Sequence, residues 1–171
     1  MFSFRDLKLE DCYLFHKWIK TNCFVKKWWY SNKQPQISTL KKKIQTKLDR
    51  INGINKIVLL NGVEIGFIQS YDVEGNGNWT KQVKLYENTA SIDFFIGDID
   101  YIHKGYGKLM INEFIETFIK DKYDYVMISP DQENIVSRKT CEKCGFEFVK
   151  VVGIPYDNSK NKEVVYIKKC K

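Results

Sequence analysis

The stretch IDFFIGDIDYIHKGYGK, residues 92–108, decides the fold. It opens as an apolar run, passes through acidic residues, and closes on a basic turn with two glycines, Gly105 and Gly107. The residues that follow put Ile111, Phe114, Ile115 and Phe118 on one helical face. A strand, a glycine turn and a helix in that order form an anion cradle. Glycine lets the backbone approach a ligand and adopt positive φ. The first N–H groups of a helix lack intrahelical partners and point outward. Lys104 and Lys108 add positive charge, so a pyrophosphate suits the turn. Asp93 stands in an otherwise apolar strand, where aspartate is depleted. The bland reading is a solvent-facing edge position, and the sharp one is a carboxylate that handles substrate.

Working outward, FSFRDL reads as a strand, and KLEDCYLFHKWIK as a helix with Leu9, Tyr13, Leu14 and Trp18 at helical spacing. FVKKWWY is an aromatic segment. A second helix is expected from Ser38, its N-cap, to about Arg50, with Leu40, Ile44 and Leu48 on one face. KIVLL, the Asn61-Gly62 turn and VEIGFIQSY form a β-hairpin. A polar, glycine-rich stretch follows, and long loops in compact domains often carry function. YDYVMIS is a strand, NIVSRKTCEKCGF a helix stopping at Gly145, and FEFVKVVGI and EVVYIKK are closing strands. The order is β-α-α-β-β-β-α-β-α-β-β, an α/β (α+β) fold in which helices flank a mostly antiparallel central sheet. With no repeat or linker, residues 1–171 are expected to form a single domain.

Composition sets the class. The chain has 171 residues, 43% of them hydrophobic and 15% aromatic, which is globular. No apolar run approaches the ~18 residues of a membrane span, and the charged N-terminal stretch lacks a signal-peptide core. A cytoplasmic location with five free cysteines follows as the expectation. The net charge of +7 suits an anionic partner such as a polyphosphate cofactor. Cys141 and Cys144 form one CxxC pair in mid-helix with no histidine nearby in sequence, so no metal is expected.

At residues 102–107, Ile-His-Lys-Gly-Tyr-Gly, the turn resembles the [RQ]xxGx[GA] turn of the GNAT superfamily of acetyl-CoA-dependent N-acetyltransferases, with Ile102 at the position of the Arg or Gln. NIVSRKTCEKCGFEFV is similar to that family's later helix and strand, where Asn134 and Glu142 to Phe146 match. More narrowly, the chain resembles aminoglycoside 6'-N-acetyltransferases. In their pattern Asp93, Ile96, Gly97, Asp98 and Tyr101 are kept. Phe94 replaces a Gln, Ser129 an Asp and Cys141 a Tyr.

The resemblance implies a GNAT-like sheet and transfer of acetyl from acetyl-CoA to a primary amine, with the 6'-amine of an aminoglycoside first among acceptors. A polyamine, a protein N-terminus or another small amine is the alternative. A non-enzymatic domain that binds RNA or another anion is the remaining one. It also implies the site residues. Asp93 binds the ammonium and accepts its proton, which general-base catalysis makes worth ~10²–10⁴-fold. A main-chain N–H near Phe95 or Ile96 meets the thioester oxygen. His103, Lys104, Gly105, Tyr106, Gly107 and Lys108, with Asn134, hold the cofactor. Cys141 occupies the position of the usual acid with no role assigned, a thiol being a weak donor. From their own place in the chain, at and after the end of the hairpin, Asp72 and Glu74 are expected to complete an acidic pocket for a polyamine beside Asp93, and Trp79 and Tyr86 are candidates to stack on a sugar ring. The expected partner is a small amine, with no nucleic acid, membrane or metal, and the protein is a monomer or homodimer.

Overall fold

The computed structural model describes residues 2–73, 86, 88–153 and 162–170. The strands are β1 (Phe2–Asp6), β2 (Ile54–Leu60), β3 (Val63–Asp72), β4 (Thr89–Ile96), β5 (Tyr125–Ile128), β6 (Glu147–Gly153) and β7 (Lys162–Lys169). They hydrogen-bond in the order β1-β2-β3-β4-β5-β7-β6. β1–β2, β5–β7 and β6–β7 pair antiparallel, and β4–β5 pair parallel. The helices are α1 (Cys12–Thr21), α2 (Cys23–Tyr30), α3 (Ile37–Leu48), α4 (Tyr106–Phe114) and α5 (Ile135–Lys143). Among the described residues no helix is long and apolar enough to cross a membrane.

The expected fold class stands, with one added element. The aromatic segment before Tyr30 is a helix, α2, capped by Asn22, whose side-chain oxygen accepts from Phe24 N and Val25 N. α3 begins at Ile37 behind Gln36, so Ser38 lies inside the first turn and does not cap it. The hairpin turn falls at Asn61 and Gly62, both at positive φ (51° and 83°), as a two-residue turn between right-twisted strands requires.

Two compact units emerge, Met1–Gln69 with Phe94–Met110, and Ser70–Asp93 with Ile111–Lys171. The core of the first is aromatic. Phe95 lies 5.5 Å from Phe15, 5.8 Å from Trp18 and 4.8 Å from Trp29, ring centre to ring centre. These are tilted or edge-on contacts, the geometry that ring quadrupoles favour. Arg5 closes the same unit, donating to Asp11 at 2.7 Å and to Glu64 at 2.8 Å. The second unit packs Val73, Met127, Val152 and Val165 together.

Candidate active site

The turn between β4 and α4 belongs to the first unit. β4 ends at Ile96, and its exit is fixed by three neighbours. Gly97 N and Asp98 N both donate to Ile65 O, at 2.8 and 3.1 Å. The amide of Asn22, 0% exposed, donates to Ile96 O and Gly97 O, each at 3.1 Å. Trp18 covers Gly97 so closely that a Cβ there would fall 2.5 Å from Trp18 Cε3. Asp98 then caps a short turn, Ile99–Tyr101, by accepting from Asp100 N at 3.0 Å.

The chain turns into α4 through two residues at positive φ, His103 at 58° and Gly105 at 81°. His103, Lys104, Gly105 and Lys108 are exposed, and Tyr106 is half-buried. No acidic residue occupies the first turn of α4. The His103 ring packs edge-on against Phe24 at 5.3 Å, and Tyr106 against Phe2 at 6.0 Å. Lys104 Nζ lies 5.9 Å from the Tyr101 ring. Such a turn offers main-chain donors, the positive end of a helix and two lysines to an anion. Phe95, 6% exposed, has its side chain in the aromatic core, so what it offers a ligand is its main chain.

The other expected residues fall in the second unit or outside the described residues. Asp93 is half-buried on β4. The β4–β5 register, Thr89↔Tyr125 to Ser91↔Met127, does not extend to Ile92 and Asp93. Asp72 accepts a hydrogen bond from the Tyr123 hydroxyl. Burial, and then that bond, push Tyr123 up to about 12. Asn134 caps α5, its Oδ1 accepting from Ser137 N at 3.1 Å. Cys141 is 0% exposed, and burial, with Cys144 beside it, pushes its thiol up to about 12. Tyr86 lies nearly parallel to Tyr125 at 4.4 Å. Glu74 and Trp79 lie outside the described residues. Among the described residues no group of three or more His, Cys, Asp or Glu could hold a metal ion.

Three residues of the first unit escaped the sequence reading. Asn22 precedes α2, and an Asn before an apolar helical run is an N-cap signal. Trp18 was read only as one of the helically spaced residues around α1. Lys47 sits three positions beyond Ile44, on the inward stripe of α3.

The seven-stranded sheet of this order carries a glycine turn that leads from β4 into α4. The model of the acetyltransferase (GNAT) domain matches residues 8–154, and the chain belongs to that family. It is therefore an acetyltransferase. It is 22% identical over 147 residues to aminoglycoside N(6')-acetyltransferase type 1 of Klebsiella pneumoniae, covering 85% of this chain and 73% of that one. Aminoglycoside acetyltransferase AAC(6')-Ib in complex with coenzyme A superposes with a TM-score of 0.83 at 21% identity, covering 99% and 95% of the two chains. The same enzyme with coenzyme A and kanamycin gives 0.83 at 20%, again over 99% and 95%.

Proposed function

We propose that the chain transfers acetyl from acetyl-CoA to a primary amine of a small molecule. The observation that carries this reading is the turn into α4. Gly105 at φ 81° opens a helix with no carboxylate in its first turn, and Lys104 and Lys108 flank it. The turn amides and lysines bind the diphosphate of the donor, and no metal takes part. Amine nitrogen attacks the thioester carbon, the C–S bond breaks, and the thiolate leaves. The carbonyl oxygen gains negative charge that the main chain at Phe95 or Ile96 stabilises. The amine, mostly protonated at neutral pH with a pKa near ~10.4, docks on the Asp93 carboxylate and gives up its proton there. Cys141 is not assigned as the acid that meets the thiolate.

The relatives named above make the 6'-amine of an aminoglycoside the first acceptor to try. The test is release of coenzyme A thiol, followed with a thiol-reactive dye, over a panel of amines. Acetylation of a primary amine with stoichiometric thiol release is expected. Intact acetyl-CoA with every amine tried, including kanamycin, overturns the reading.

A further inference from the structure

The first turn of α2 touches both ends of the segment that leads from β4 to α4, and all of these residues lie in the first unit. At the near end the Asn22 amide donates to Ile96 O and Gly97 O, each at 3.1 Å. The same side chain accepts from Phe24 N at 3.0 Å, so the cap that starts α2 also fixes where Phe24 stands. At the far end the Phe24 ring meets the His103 ring edge-on, 5.3 Å between centres and 81° between planes. Phe24 is 37% exposed. The hydrophobic core therefore gains little from an aromatic ring at this position.

His103 is where the segment needs holding. Its φ of 58° lies in the left-handed region, which glycine adopts freely and a residue with a Cβ does not. Gly105 follows with the same hand at 81°. Turn conformations of this kind make successive main-chain N–H groups converge on an anion. The backbone state of His103 thus helps set the aim of the amides that precede α4. An edge-on ring pair stabilises by about as much as one left-handed residue costs, so the Phe24 contact is large enough to hold that state. We infer that Phe24 is a positioning residue for the acyl donor. Tied through Asn22 to the exit of β4 and pressed against His103, it keeps the turn in the shape that receives the diphosphate. The inference rests on the reading of this turn as the diphosphate site and deepens it.

The test is coenzyme A affinity, measured by calorimetry on the full chain and its variants. Phe24→Leu keeps an apolar side chain and removes the ring edge, whereas Phe24→Tyr keeps the ring. Phe148→Ala removes a ring that is 60% exposed on β6, in the second unit, and controls for loss of any surface aromatic. Phe24→Leu is expected to raise Kd by about 2–10-fold, the worth of the ring pair expressed as affinity. Phe24→Tyr and Phe148→Ala should bind as the native chain does. The chain has two histidines, so proton NMR with His16→Gln for assignment picks out the His103 ring. Its signals should move in Phe24→Leu, through loss of the ring current, and on adding coenzyme A to the native chain, a readout that needs no Phe24 variant. An unchanged Kd in Phe24→Leu overturns the inference. So does an equal loss in Phe24→Tyr or Phe148→Ala, or a His103 signal that stays put in either experiment. Each of these leaves the transferase reading intact. Coenzyme A that fails to bind the native chain instead overturns the diphosphate-site reading, and the inference with it.

Discussion

Trp18 lies against Gly97 with no room for a methyl group between them. The strand that carries the proposed chemistry thus ends where an α1 indole replaces a side chain. Gly97→Ala must move either the ring or the backbone. Overpacking of this kind costs about 1–3 kcal/mol. The corresponding fall in Tm is roughly 2–12 °C for a chain of this size, read by thermal denaturation. An unchanged Tm would mean that Trp18 swings aside freely.

Asn22 supplies four hydrogen bonds from one side chain, two to the N-terminus of α2 and two to the carbonyls of Ile96 and Gly97. Asn22→Ala removes a helix cap, about 0.5–2 kcal/mol, and leaves buried acceptors unpaired. A lower urea midpoint is expected, with the slope unchanged. Asn22→Asp keeps the cap acceptor but donates nothing to the two carbonyls, so it should recover only the cap's share.

Asp93→Asn should lower turnover by about 10²–10⁴-fold, the scale of a lost general base. Acetyl-CoA affinity, measured by calorimetry, should stay near native. Full turnover in this variant would remove Asp93 from the chemistry.

Gly105 holds a φ of 81°. A β-branched residue there is strained, by roughly 1–2 kcal/mol for the left-handed region. Gly105→Val is therefore expected to weaken acetyl-CoA binding more than amine binding, as a ratio of dissociation constants. Equal loss of both would indicate general unfolding.

Alkaline pH should destabilise the fold. Burial pushes Tyr30 up to about 12 from 10.0, and Cys141 up to about 12 from 9.0. Both groups keep their protons in the folded chain after the unfolded chain has lost them. Their contribution is complete below about pH 9 and falls as pH rises toward 12, because the unfolded state then binds fewer protons. Urea midpoints at rising pH should drop over that window, and Tyr30→Phe should flatten the drop.

Much of the frame was legible because its signals are local. Asn61-Gly62 announces a hairpin, and Gly145, at φ 79°, ends α5 where expected. α2 was hidden. Its residues, Cys-Phe-Val-Lys-Lys-Trp-Trp-Tyr, include β-branched and aromatic types of modest helix propensity, and packing overrides that propensity. The glycine turn into α4 was legible because its residues are consecutive. The partnership of Lys47 with Gln69 spans 22 positions and that of Asn22 with Gly97 spans 75, so no window of sequence could pair them. The hydrogen bond that Asp72 accepts from the Tyr123 hydroxyl joins residues 51 positions apart, so nothing nearby in sequence foretells it.

The carbonyl of Ile65 accepts from two successive amides at the end of β4. Hairpin register and the path of the chain toward α4 are therefore a single variable. A one-residue slip at Asn61-Gly62 would turn every side chain of the slipped strand to the opposite face and drag the mouth of α4 along with it. The tight two-residue loop, far away in sequence, acts as the datum from which the proposed donor site is measured.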